Sequence, residues 1–251
     1  MLWINKNRPQ AVLAAAVGLM LAGGAAAAPL VVRSAGPSAK TYPAGKAVAD
    51  NAKIVLKAGD TVVLLDGRGT RTLSGPGSFS ATASATAAAT TGSTLNALVS
   101  GGGERRARIG AVRSASGVDK NAGRNPNVWY VDIGRSSNMC IADISTVTVW
   151  RPNADKAASV MVTGPNGKGT IDLAAGQSAA LWPASLPVAD GGQYKLSWAG
   201  AKAPTLVKFV VVKPGSAGLE DMAQSLIKAG CTAQLDLLIQ TVALPDGNPK
   251  G

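Results

Sequence analysis

The strongest constraint on the fold is a series of short apolar runs that follow one another from residue 128 to residue 212. Apolar and polar side chains alternate within most runs, as in strands that bury one face, and turn-forming residues separate the runs. About eight runs recur at intervals of about 8 to 12 residues, namely 128–133, 139–143, 146–150, 158–162, 170–173, 178–182, 193–198 and 206–212. This spacing is typical of an antiparallel β-sandwich, which we predict for residues 128–214.

A second group of strand-like runs lies nearer the N-terminus. The runs 30–33, 52–56, 61–65 and 70–73 are each bounded by Gly, Pro or Asp, which form tight turns between strands. We predict a small β domain over residues 28–80.

The apolar period changes after Pro214. Apolar positions then recur at intervals of three and four, which predicts two amphipathic helices within residues 215–245. The expected buried faces consist of Leu219, Met222, Ala223, Leu226 and Ile227 in the first helix and Ala233, Leu235, Leu238, Ile239 and Val242 in the second. The whole chain is thus predicted to be mainly β, with a small β domain, a flexible linker, an antiparallel β-sandwich and two C-terminal helices.

The segment between the two β regions, residues 81–127, is rich in Ala, Ser, Thr and Gly and offers little apolar surface for a core. We predict that it is a linker. It contains four clustered cations, Arg105, Arg106, Arg108 and Arg113, in a chain of net charge +11. These arginines are either a solvated part of the linker or a patch that binds an anionic polymer or lipid surface. Nucleic acid is not an expected partner, because an exported protein rarely meets it.

Residues 1–27 have the three parts of an export signal. Lys6 and Arg8 precede an apolar run, which ends in small residues with several Ala-x-Ala frames. We expect cleavage after Ala27 and a periplasmic or secreted protein without a stable membrane span. An uncleaved anchor is the alternative, and it is disfavoured because the Ala and Gly residues make the run only weakly apolar.

Cysteine and histidine usage limits the chemistry of the protein. Cys140 and Cys231 are the only cysteines, and an even number in an oxidising compartment predicts a disulfide between them. The chain has no His, the usual general base and the commonest metal ligand, so His-based triads and ordinary zinc sites are excluded. No acidic residue lies in a recognisable catalytic motif. We therefore assign no catalytic, cofactor-binding or metal-binding residue.

The N-terminal β region also carries a family resemblance. A Gly-Asp pair, an apolar strand, an Asp-Gly turn, a second strand and a final Gly-Pro turn follow one another within residues 54–77, after a Pro-Ala-Gly-Lys turn at 43–46. This pattern resembles the periplasmic β domain of the FecR family, the iron-citrate regulators, over about residues 40–80. Membrane-anchored members pass a signal from an outer-membrane transporter to a cytoplasmic sigma factor. The resemblance implies a similar β domain here, and we expect neither the cytoplasmic domain nor the anchor of those regulators.

Two functions of different classes fit these features. The favoured hypothesis is a non-enzymatic exported envelope protein that acts as a binding, scaffold or signalling-accessory module for an envelope protein or an anionic envelope polymer. The alternative is an envelope enzyme, or its accessory subunit, that acts on an acidic glycan through carboxylates of the C-terminal sandwich. Two carboxylates in one cleft would favour the enzyme, and a flat apolar or basic face would favour the binding protein.

Overall fold

The computed structural model describes residues 28–82, Val99, residues 125–213 and residues 218–243. The N-terminal strands are β1 Leu30–Ala35, β2 Lys53–Leu56, β3 Thr61–Asp66, β4 Gly69–Ser74 and β5 Gly77–Ser80. The later strands are β6 Val131–Asp132, β7 Ser137–Ile141, β8 Thr148–Trp150, β9 Ala158–Gly164, β10 Gly167–Leu173, β11 Ala179–Leu181, β12 Gln193–Trp198 and β13 Thr205–Val211. The helices are α1 Leu219–Lys228 and α2 Thr232–Thr241. The prediction of a mainly β fold with two C-terminal helices is confirmed.

The N-terminal strands form two small sheets around one core. Antiparallel β1, β3 and β4 form one sheet, in that order, and antiparallel β2 and β5 form the other. Four of these strands match the predicted runs. The fifth, β5, was not predicted, because Phe79 is its only apolar side chain. It pairs with β2 along its full length, from Lys53 opposite Ser80 to Leu56 opposite Gly77.

The sheet of β1, β3 and β4 is buried on both faces. Val62 and Leu64 of β3 face the N-terminal core, whereas Val63 and Leu65 face the C-terminal helices. Because both faces exclude water, the run from Val62 to Leu65 is continuously apolar and does not alternate.

The later strands form the two sheets of a sandwich. The larger sheet has the order β10-β9-β12-β13-β7 and the smaller one the order β11-β8-β6. Pairing is antiparallel except between β13 and β7 and between β6 and β8, which are parallel. Between the sheets, Trp182, Tyr194 and Phe209 meet edge to face, with ring centroids 5.2 to 5.4 Å apart.

The two helices pack between the N-terminal sheet and the sandwich. Their apolar side chains share one buried cluster with Val32 of β1, Leu65 of β3 and Val128 at the start of the sandwich. Cys140 of β7 and Cys231, just before α2, form the predicted disulfide, with Cα atoms 5.9 Å apart. No helix within the described residues is long and apolar enough to cross a membrane.

Helix α2 covers the edges of both neighbouring sheets. The side-chain amide of Gln234 pairs with the edge strand β7 as another strand would: Cys140 N–H donates to its Oε1 at 2.7 Å, and its Nε2 donates to the Cys140 and Val128 carbonyls at 2.8 Å. At the end of α2, the Val242 carbonyl accepts from Thr70 N–H of edge strand β4 at 2.9 Å. Edge strands that are covered in this way cannot pair with another chain.

We predict that Gln234→Leu lowers the free energy of unfolding by about 2 to 4 kcal/mol, because buried backbone groups of Cys140 and Val128 lose their partner while side-chain volume is nearly kept. Urea unfolding measures the change. Gln240→Leu, at an exposed position of the same helix, is the control and should change stability by about 0.5 kcal/mol or less. Equal effects of the two substitutions would contradict this role of Gln234.

Asp60 organises the turn before β3. Its carboxylate accepts hydrogen bonds from Ser38 N–H at 2.7 Å and from Lys57 N–H at 2.5 Å, and its backbone carbonyl accepts from Gly75 N–H at 2.9 Å. Burial alone would raise the pKa of Asp60, but the hydrogen bonds from Ser38 and Lys57 outweigh it and hold the pKa below its ordinary value. Gly36 has a φ of +98° and a Cβ there would lie 2.6 Å from Asp60 Oδ1, so only glycine fits beside this carboxylate.

We predict that Asp60→Asn destabilises the protein at neutral pH and less so in acid. A lowered pKa in the folded state means that the ionised carboxylate stabilises the fold above its unfolded-state pKa, and this contribution is lost as the pH falls through the folded-state pKa. Urea unfolding from about pH 7 to about pH 2 measures the loss. Asp172→Asn, an exposed control, should leave the profile unchanged. If the free energies of unfolding of the wild type and Asp60→Asn differ by the same amount at every pH in this range, the lowered pKa of Asp60 is refuted.

Candidate functional site

A cleft of about 330 Å³ lies between the sandwich and helix α2. One wall is formed by strands β6, β7 and β8, by the segment before β6 and by the β6–β7 loop. The other wall is formed by one face of α2. The side chains that line it are aliphatic, aromatic, amide and charged, and include Val128, Tyr130, Asp132, Arg135, Trp150, Asp236 and Gln240. The cleft therefore combines apolar surface with hydrogen-bonding groups, as small-molecule sites do.

Two arginines share one carboxylate beside this cleft. Arg33 of β1 forms a hydrogen-bonded ion pair with Asp236 of α2, and Arg135 of the β6–β7 loop lies with Nη2 3.7 Å from the other oxygen of Asp236. Both arginine side chains are about half exposed, at 51% and 56%, whereas Asp236 is 28% exposed. The three residues carry one net positive charge, and Arg135 has no closer ionic partner among the described residues.

Asp132 provides a second carboxyl group in the cleft. Its Oδ1 accepts from Gly134 N–H at 2.8 Å, a contact that fixes the start of the β6–β7 loop. Burial raises the pKa of Asp132 above its ordinary value, and the Gly134 hydrogen bond and the positive charge of Arg135 offset this only in part. Asp132 consequently takes up a proton more readily than an exposed carboxyl group and can then donate a hydrogen bond.

A buried cation, Arg151, directly follows Trp150 at the end of strand β8. Arg151 is 6% exposed, and its guanidinium donates to the backbone carbonyls of Gln177, Lys156 and Ala174 at 3.0, 2.7 and 2.8 Å. These bonds join the loops that surround strand β8. Because its donors are engaged by the backbone, Arg151 is a structural cation.

Asp143, beside a second and smaller cavity of about 230 Å³, is likewise held by its own loop. Its carboxylate accepts from Ser145 Oγ at 2.7 Å, from Ser145 N–H at 2.8 Å and from Thr146 Oγ1 at 3.1 Å. The hydrogen bonds from Ser145 hold the pKa of Asp143 below its ordinary value. Asp143 is thus an ionised loop residue and a poor proton donor.

The residues that line the cleft are not the site residues that the sequence predicted. The proposed anion-binding residues Arg105, Arg106, Arg108 and Arg113 lie outside the described residues. Asp132 and Asp236, which the structure brings to one cleft, lie in no motif. The available signal is weak: each is an acid inside an otherwise apolar run, a position that acids rarely occupy without a partner.

No group of three or more His, Cys, Asp or Glu residues within the described ranges is arranged to hold a metal ion. No family model matches the chain, and no curated protein or solved structure is significantly similar to it. The chemistry of the cleft is therefore the basis for assigning a function.

We predict that Arg135→Gln raises the pKa of Asp132 further, because it removes the cation that favours the ionised form. An NMR titration of the Asp132 carboxyl carbon in both proteins measures this change. Lys156→Gln, an exposed control on the β8–β9 loop, should not change the pKa of Asp132. A wild-type Asp132 that titrates at or below the ordinary aspartate value would contradict the description of its environment.

Proposed function

We propose that this protein is a non-enzymatic exported protein of the cell envelope that binds an acidic oligosaccharide in the cleft between the sandwich and helix α2. The observation that carries the proposal is that Arg135 has no close ionic partner among the described residues, since Asp236, whose Oδ2 lies 3.7 Å away, is paired more closely with Arg33. A guanidinium presents a planar fork of donors that matches a carboxylate. A ligand carboxylate can therefore bind Arg135 without displacing the closer pair of Arg33 and Asp236.

The rest of the cleft suits a sugar ring. Tyr130 offers an aromatic surface, and Gln240 offers an amide group that can both donate and accept hydrogen bonds, whereas the Asn125 amide is bonded to the Tyr130 carbonyl and to Asn127 N–H. Asp132 adds a carboxyl group that can exchange hydrogen bonds with hydroxyl groups. The cleft volume is at the lower end of the range for ligand sites, about 300 to 1,000 Å³. The cleft can therefore enclose only a small part of an oligosaccharide.

Envelope localisation is supported by the sequence and by the cysteine pair. Residues 1–27 carry the features of an export signal, and a disulfide such as Cys140–Cys231 persists in oxidising compartments. The FecR-like pattern over about residues 40–80 agrees with this location, and the signalling-accessory role that it implies stays a prediction.

A second candidate function is favoured by one observation. Asp132 and Asp236 both line the cleft, and Asp132 has a raised pKa, the property that a general acid requires. Glycoside hydrolysis commonly uses two carboxyl groups on opposite sides of the scissile bond. We give this candidate second place because Asp236 is already engaged by two arginines.

Calorimetric titration with trigalacturonic acid, and with neutral maltotriose for comparison, tests the proposal. We expect binding of the acidic trisaccharide only, and binding roughly 10- to 100-fold weaker in Arg135→Gln, since a hydrogen bond to a charged group contributes about 1.5 to 3 kcal/mol. Lys40→Gln removes an exposed charge from the N-terminal region and is the matched control.

The outcomes separate the two candidates. Equal binding of both sugars, or unchanged affinity in Arg135→Gln, would refute the binding site. Release of reducing ends by the wild type that is lost in Asp132→Asn, with binding retained, would favour the enzyme over the binding protein.

A further inference from the structure

One face of the larger sheet carries lysines and exposed apolar side chains together. Along β9, β12 and β13 the inward side chains are buried in the sandwich core, and the alternating outward ones are solvent-exposed or partly so. We call the outward group of Met161, Lys168, Lys195, Leu206 and Lys208 the lysine face. Among the described residues, helices α1 and α2 cover only the far end of this sheet, where Cys140 and Val210 lie, and leave the lysine face open.

Strand register places these side chains close together. Lys195 lies opposite Leu206 on one side and Thr163 on the other, and Thr163 lies opposite Lys168. The strand spacing of about 4.8 Å puts Lys168 and Lys195 about 10 Å apart. Lys208 lies opposite Gln193 and is therefore a diagonal neighbour of Lys195, at about 7 to 8 Å.

The charge of this face is not neutralised within the protein. None of the three lysines forms an ion pair with a described residue, and Asp172 is the one acid among the outward positions of β9, β10, β12 and β13. Leu206, opposite Lys195, is 61% exposed, and Met161, two residues before Thr163, is 53% exposed. Packing within the described structure does not account for this combination.

We propose that the lysine face lies on an anionic lipid bilayer, with Leu206 and Met161 inserted at the boundary between headgroups and acyl chains. The lysines contact lipid phosphates, while the apolar side chains leave water, which is the usual composition of an interfacial membrane surface. A soluble polyanion would attract the lysines but would leave Leu206 and Met161 exposed to water. A second copy of this face would place lysine against lysine. The bilayer is the partner that uses both properties.

Sedimentation of the full chain with vesicles tests this inference. Equimolar phosphatidylglycerol and phosphatidylcholine should bind the protein, and pure phosphatidylcholine should not. Lys195→Gln with Lys208→Gln should weaken binding about 25-fold, about fivefold for each lysine, and added salt should reduce the difference. Lys40→Gln with Lys53→Gln removes the same charge from exposed positions of the N-terminal region and should change binding less than twofold.

Leu206→Ser separates a bilayer from the other partners. We expect it to weaken vesicle binding about fivefold or more, to leave retention on immobilised heparin unchanged, and to leave thermal unfolding unchanged because the side chain is exposed. Vesicle binding like that of the wild type would overturn the proposal in favour of a soluble polyanion. Equal losses in the two double-lysine variants would show that only net charge matters and would also overturn it. Reversible dimerisation abolished by Leu206→Ser would identify the lysine face as a contact between copies.

Discussion

The apolar cluster around the two C-terminal helices is the constraint on which the rest of the structure depends. Helix α1 buries Leu219, Met222 and Leu226 there, and the cluster continues into β1 and β3 on one side and into Val128 and Cys140 on the other. Neither the N-terminal sheet nor the β7 end of the sandwich has another cover for these side chains within the described residues. The disulfide adds a covalent link between β7 and the start of α2 in the same place.

The candidate cleft is a consequence of this packing. Arg33 comes from the N-terminal sheet, Arg135 from the sandwich and Asp236 from helix α2, so the charged group exists only when all three parts of the chain are assembled. Gln234, two residues before Asp236, fixes the helix against β7 through three hydrogen bonds. The residue that closes the sheet edge therefore also sets the position of the carboxylate that the arginines share.

The sequence predicted the elements better than their contacts, for physical reasons. Strands of the sandwich alternate because one face is buried, and each of the eight predicted runs contains a strand, although the run 128–133 forms one only at Val131–Asp132. Strand β5 lacks that pattern because Phe79 alone is apolar. Gln234 is an ordinary polar residue in the sequence, and only the approach of β7 gives it a buried role. Asp132 and Asp236 lie more than a hundred residues apart, so no local pattern could bring them to one cleft.

Charges in this protein divide by what surrounds them. Arg151, Asp60 and Asp143 are each satisfied by backbone groups or by hydroxyl groups of their own loops, and their role is to hold turns and loops together. Arg135 is different, because its nearest ionic partner is an oxygen 3.7 Å away that belongs to a carboxylate already paired with another arginine. The three lysines of the lysine face have no ionic partner among the described residues. The net charge of +11 does not distinguish structural charges from charges without a close partner. The three-dimensional surroundings of each charge make this distinction, and they identify the cleft and the lysine face as candidate binding surfaces.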